Sequence, residues 1–456
     1  MAQELSPLQK KEINFTNRQL VALIWPLMLE QLLSITVGLA DSLMVSTVGD
    51  ASISAVSLVD SISNLMIYIF SAMSAGGAAV AGQYIGKRAQ GDACRAGQQL
   101  IALLAIVSTS FVALLYIFKN AVLTTLYGQI APEVMRAVNT YYSIVIASIP
   151  AIALYNGGAA LFRTMSKSSM SLRVSLLMNS INVTGNAVLI FGFHMDVAGV
   201  AIPTLVSRWV AAIVILACLF NPKLMLHLGD VRSFRIDGRI MKNIVYIGAP
   251  SGAENGMFQL GKLVLVSMVS TLGTASITAN AIGNTFSNFH CFTGQAINLG
   301  MTTVVSQCIG AGEFDKARYY FKKLLKATYA SLAVANLTFL ALLPTIMRIY
   351  NVSPDAEKLA VTVAVIHSLA SIVLWPTSFA TTGFLRATGD ARYTMVVSMT
   401  SMWLVRVLFA YILAKPLHYG VVGVWVAHSV MDWIVRSAIF IHRYRSGKWM
   451  TKGIKD

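Results

Sequence analysis

The chain has 456 residues, of which 56% are hydrophobic and only 12% charged, with a mean hydropathy of +0.66. That balance excludes an ordinary soluble domain. A formal net charge of +16 would suggest nucleic acid in a soluble protein, but basic loops between membrane spans account for it without such a partner. Cys94, Cys218, Cys291 and Cys308 show no paired spacing, so neither a disulfide framework nor a zinc site is expected.

The polar segment 1–19 leads into a full-length span with no small-residue cleavage site, which predicts a cytosolic tail rather than a signal peptide. The first span, Leu20–Met44, carries Glu30 and Asp41. Eleven residues apart, they share one helical face about 16 Å apart. A carboxylate in hydrocarbon is costly, so such residues face a bundle interior or a watery cavity. Apolar runs then follow at about 51–76, 97–117, 139–160, 172–192, 197–220, 244–270, 277–305, 324–345, 359–384, 393–413 and 419–443. With the N-terminus inside, 26 of the 35 Lys and Arg fall in cytosolic segments, 5 in outer loops, and 4 (Arg208, Lys262, Arg406, Arg436) within spans. The bias predicts an all-α polytopic membrane protein of twelve spans with both termini cytosolic, in the plasma membrane (the bacterial inner membrane).

Several polar residues lie inside these runs. Asn182 and Asn186 stand at i, i+4 on one face of the fifth span. Asp432 and Arg436, at the same spacing in the twelfth, are expected to pair with each other. Asp60 and Lys262 have no partner that spacing can name. His290 and His367 are expected to be hydrogen-bonded structure. The 21 methionines suit an adaptable cavity and ordinary helix packing equally well.

A shift of 224 superposes Pro26 on Pro250, Glu30 on Glu254, Gly76 on Gly300, Gln83 on Gln307, Gly86 on Gly310 and Ala93 on Ala317. The same shift brings Val197, Gly199, Val200 and Trp209 onto Val421, Gly423, Val424 and Trp433. One offset held from the first span to the last predicts two pseudo-symmetric six-helix lobes, residues 20–220 and 244–443, parallel about an axis along the membrane normal. The basic segment 221–243 is then a cytosolic connector and 444–456 a cytosolic tail. Transporters of this build place substrate between the halves and expose it alternately to each side.

The sequences GQYIGKRAQGDACRA and SQCIGAGEFDKARYY, with Asp41 before the first outer loop and LRATGDARYTM after the tenth span, resemble the multidrug and toxic compound extrusion (MATE) family over about residues 15–445. The resemblance implies a V-shaped pair of lobes exporting organic cations or amphipathic drugs against protons or sodium ions. It implies no cofactor and no catalytic residue, and the protein is expected to act as a monomer. Asp41 matches the acidic residue of the family's amino-lobe cation site, Asn182 and Asn186 its accompanying asparagines, and Thr204 its hydroxyl partner. One carboxylate, two amides and a hydroxyl can hold a proton or a small hard cation, so sodium at Asp41 is a second expectation beside a proton.

The carboxyl lobe departs from this pattern. Glu254 matches the seventh-span glutamate, but Trp375 stands where the tenth-span aspartate belongs. By the repeat, Arg406 replaces Asn182 and His428 replaces Thr204, giving a carboxyl-lobe set of Glu254, Arg406 and His428 in which Arg406 is expected to neutralise Glu254. Loss of the aspartate weighs towards protons over sodium. The alternative function is a flippase for a lipid-linked precursor, which would gather cations for phosphate on cavity-facing spans; the four intramembrane cations are scattered along the sequence. An embedded enzyme would show HExxH, GxSxG or clustered histidines, and the sequence has none.

Overall fold

The computed structural model describes residues 13–128, 130–229, 234–350 and 352–453, with the backbone alone at Leu126 and Tyr127. Residues 1–12 of the N-terminal tail, 230–233 of the connector and 454–456 of the C-terminal tail lie outside the described residues. Among the described residues every regular element is helical. The amino half contains α1 (Asn17–Ser46), α2 (Asp50–Gly86), α3 (Gln90–Ile117), α4 (Pro132–Thr164), α5 (Ser168–Gly192) and α6 (Ala198–Leu219). The carboxyl half contains α7 (Gly238–Ser270), α8 (Thr274–Gly310), α9 (Phe314–Tyr350), α10 (Pro354–Val373, continued by Pro376–Ala380 and Thr381–Ala387), α11 (Ala391–Ala414) and α12 (Gly420–Arg445).

Ten of these are long and apolar enough to cross a membrane. The other two, α7 and α8, have ample length at 33 and 37 residues. Their Glu254, Lys262 and interspersed Gly, Ser and Asn dilute the hydropathy. Outward-facing Ile117, Ile213, Val334 and Ile349 are exposed, as an apolar solvent around the bundle would allow.

Two helices run on past the apolar stretches that mark them in the sequence. The glycine-rich ends of α2 and α8 stay helical to Gly86 and Gly310 because there the helices need a surface without side chains. A Cβ on Gly76 would come within 2.6 Å of the Gly248 backbone. On Gly86 it would sit 2.0 Å from the Gln307 carbonyl oxygen, and on Gly310 1.9 Å from that of Gln83. Beside this crossing Gln83 Nε2 donates to the Ala387 carbonyl at 2.9 Å, and Gln307 Nε2 donates to the Thr164 carbonyl at 2.8 Å. The donors are 224 residues apart and the acceptors 223, so each contact is the image of the other. The halves are therefore clasped by a pseudo-two-fold pair of bonds at this end.

Both chain ends and the connector gather at the same end. Phe15 N donates to the Tyr320 hydroxyl at 2.6 Å, and a capping box between Thr16 and Gln19 starts α1. Leu20 and Leu23 of α1 enter the core of the carboxyl half with Met301, Val304 and Phe384. The C-terminal segment is folded rather than a free tail: Trp449 is fully buried against Phe384 and Tyr444. The next residues lie alongside Gly389 and the α2–α8 crossing.

Candidate functional site

Pro26 has no N–H to give the Ala22 carbonyl, which would otherwise be left open inside α1. The Ser168 hydroxyl fills that gap, donating to Leu23 O at 2.6 Å and reaching Ala22 O at 3.4 Å. One turn later Glu30 accepts from the Ser171 hydroxyl at 2.8 Å and the Tyr155 hydroxyl at 3.3 Å, with Arg163 Nη1 at 3.9 Å. Glu30 is thus tied into the packing of α4 and α5.

Asp41, three turns on, faces a different set. Asn186 Nδ2 donates to Asp41 Oδ1 at 2.9 Å. With its amide nitrogen turned towards the carboxylate, Asn182 donates to both Asp41 oxygens at 3.0 and 3.2 Å and accepts from the Thr204 hydroxyl at 3.1 Å. In the opposite turn its nitrogen donates to Thr204 Oγ1 at 3.1 Å, and Thr204 donates on to Val200 O at 2.9 Å. Both asparagines are buried, while Asp41 and Thr204 stay partly accessible. The four residues expected from the sequence thus come together.

Three further residues stand near this site: Asp60 and Arg208, for which spacing named no partner, and Tyr141, which the sequence did not single out. Asp60 accepts from the Tyr141 hydroxyl at 3.1 Å, and Arg208 donates to the Ser148 hydroxyl at 2.8 Å. Arg208 stands within electrostatic reach of both Asp60 and Asp41. Asp60 lies on α2, Tyr141 on α4 and Arg208 on α6, so no local spacing links them.

The carboxyl half rearranges two expected pairs. Glu254 is not neutralised by Arg406: it takes Arg386 Nη2 at 2.6 Å and the Thr394 hydroxyl at 3.4 Å. Asp432 does not pair with Arg436 on its own helix. It binds Arg406 through Nη2 at 2.5 Å and Nε at 3.1 Å, and Ser401 donates to its other oxygen. Two-point contact with a planar guanidinium outweighs the i, i+4 spacing. Arg436 is instead enclosed by the rings of Phe379, Phe258 and Phe440 at 4.5, 5.1 and 5.7 Å, with Nε and Nη1 buried and unpartnered. The expected set of Glu254, Arg406 and His428 is therefore divided. Arg406 and His428 are close enough to interact, and Glu254 belongs to Arg386.

Glu30 with Arg163 and Ser171, and Glu254 with Arg386 and Thr394, are repeat-related sets. The glutamates are offset by 224, and the arginines and hydroxyl residues by 223. That second offset was the available signal for Arg163 and Arg386. His290 and His367 are buried and contact the Ser368 and Ser429 hydroxyls at 3.2 and 2.7 Å, while His290 Nδ1 and His367 Nε2 are buried without a hydrogen-bond partner. Trp375 fills its corner by stacking on Phe379 and covering Gly294. Lys262, Arg406 and Arg436, scattered in sequence, converge here around His428.

A family model described as MatE matches residues 26–188 and again 250–412, two copies at the offset of 224. The chain is similar to the "Uncharacterized transporter YisQ" of Bacillus subtilis, 26% identical over 446 residues and 95% of each chain. It is also similar to the "Probable multidrug resistance protein NorM" of Thermotoga maritima, 23% identical over 453 residues, covering 98% of this chain and 96% of the relative. Its fold resembles a solved "Outward-facing conformation of a multidrug resistance MATE family transporter of the MOP superfamily", with TM-score 0.87, 18% identity and coverage of 95% and 96%.

Proposed function

The chain belongs to the MATE family of multidrug efflux transporters, and from that premise we propose that it exports organic cations and amphipathic drugs by antiport with protons. The cleft between the halves would open in turn to each side of the bacterial inner membrane, with both termini cytosolic.

What carries this reading is the hydrogen-bonded chain Asp41–Asn182–Thr204. On this proposal Asn182 turns its amide with the protonation state of Asp41. Ionised Asp41 has only acceptors, so Asn182 must present its nitrogen. Protonated Asp41 can donate to the Asn182 oxygen, which turns the nitrogen to Thr204 and commits the Thr204 hydroxyl to Val200 O. Proton uptake thus both uncharges the site and rewires its link to α6. An organic cation held by the carboxylate loses its counter-charge when the proton arrives, and antiport follows from competition for one negative charge.

Sodium is the second reading, and one feature favours it. Asn186 Oδ1 is buried without a hydrogen-bond partner, and its amide nitrogen already touches Asp41. A hard cation between carboxylate and carbonyl would satisfy it.

The test of the site is dye export from cells expressing variants at matched membrane levels. Asp41→Asn should abolish export, and Glu30→Gln, which alters a residue held in helix packing, should reduce it far less. Normal export by the Asp41 variant would remove Asp41 from the mechanism.

A further inference from the structure

Lys262 on α7 is exposed. Its neighbours in electrostatic reach are Arg406 on α11, Cys291 on α8 and His428 on α12. An exposed lysine with polar groups of three other helices in electrostatic reach fits the wall of a cleft better than a lipid-facing surface. On α7 it lies about 40° round the axis from Phe258, whose ring contacts both Arg406 and Arg436. It lies on the side turned towards Gly252 and Gly256, which pack on α2. Lys262 is therefore at the mouth, with the two guanidiniums behind it.

Charge in this corner is unbalanced. Lys262, Arg406 and Arg436 face two carboxylates, Asp432 and Glu254, and the first is engaged by Arg406 and Ser401. Glu254 is engaged by Arg386. Among the described residues no carboxylate lies within ion-pair distance of Lys262 or Arg436. Uncompensated charge at membrane depth is expensive and marks a binding function by default. Arg436 adds a second, independent sign: its side chain is 1% exposed and two of its nitrogens lack any acceptor, a cost that the surrounding aromatic faces offset only in part. The amino half is built the other way, with Asp41 and Asp60 against Arg208. The two walls of the cleft thus have opposite polarity.

We propose that the pocket at Lys262, backed by Arg406 and Arg436, binds the anionic group of an amphipathic organic substrate whose cationic part faces the amino half. This deepens the transport reading above and rests on it. With Arg406 already bound to Asp432, Lys262 is the cation open to a ligand, which fits a monoanion such as a carboxylate better than a diphosphate. The substrates so selected are zwitterions with an apolar body.

The test uses a matched pair of probes: rhodamine B, a cationic dye with a free carboxylate, and its ethyl ester, in which that charge is blocked. Binding is read by fluorescence polarisation on the purified full-length protein in lipid nanodiscs. The free acid should bind about tenfold more tightly than the ester, equivalent to about 1.4 kcal/mol. Lys262→Met should remove that preference by weakening the acid, and Lys262→Arg should restore it. The proposal is overturned if the acid has no advantage, if it fails to bind, or if its advantage survives Lys262→Met. Ester binding that is lost in Asp41→Asn would, in that event, leave the cation-transport reading standing.

Discussion

Asp41 and Glu30 share a helix and a chemistry but differ in what they can exchange. Glu30 is held by two hydroxyls and an arginine, a fixed structural set. Asp41 meets two amide donors, with the Thr204 hydroxyl bonded to Asn182 behind it. Thr204→Val should therefore leave the protein folded but weaken transport about tenfold or more, since it removes the only hydroxyl through which Asn182 can change orientation. Transport at the wild-type rate in that variant would show that the amide does not relay protonation. The glutamate sets make a separate prediction. Glu254 is 2% exposed and Arg386 is its ion-pair partner at 2.6 Å. Arg386→Ala strands a buried carboxylate and should cost about 3–5 kcal/mol. Arg163→Ala should cost less, because Glu30 keeps two hydroxyl donors and its arginine is 3.9 Å away. Thermal unfolding of the two variants side by side checks the order, and Glu254→Gln added to Arg386→Ala should recover most of the loss.

Among the helices, Asp41, Asn182, Asn186 and Thr204 sit on regular turns, as Glu254 does, while Arg406 and His428 occupy widened ones. Ser401–Val407, which contains Arg406, and Ala427–Met431, which contains His428, are both π-helical. A π turn inserts a residue and rotates the face that follows. Arg406 and His428 accordingly have partners other than those of the amino-half residues to which the repeat relates them. Asp41 stood out as a carboxylate on an apolar helix, while Asn182, Asn186 and Thr204 were joined to it only through the family resemblance. Arg406 with Asp432 and Glu254 with Arg386 were not legible, because each joins two helices whose mutual rotation no sequence spacing records. The i, i+4 rule gave Asp432 to Arg436, and tertiary geometry overrode it. At α1, Ser168→Ala should cost about 1–3 kcal/mol, since the Ala22 and Leu23 carbonyls near Pro26 would lose their buried donor. A melting temperature unchanged by that substitution would show that the proline bend is satisfied some other way.

For the molecule as a whole, the twelve helices and the duplication followed from hydropathy and one constant offset, and the two family matches repeat at that same offset. What the sequence did not disclose is the clasp between the halves. Gln83 and Gln307 reach symmetry-related carbonyls, and Gly86 and Gly310 allow the backbones to touch. A methyl group on Gly310 would lie 1.9 Å from the Gln83 carbonyl, so Gly310→Ala must force the crossing apart. Distances between spin labels on the ends of α2 and α8 should shift to longer values in Gly310→Ala relative to the parent. A parent-like distance would mean that the contact yields without opening the halves.

The central claim is that a proton binding at Asp41 drives export. It is tested most directly in sealed vesicles holding the purified protein and a fluorescent cationic dye. Transport is followed first under an imposed pH gradient without sodium, then under a sodium gradient at equal pH. The account predicts dye movement under the pH gradient alone, abolished in Asp41→Asn. Movement driven only by the sodium gradient would contradict it and assign the buried oxygen of Asn186 to a bound sodium ion.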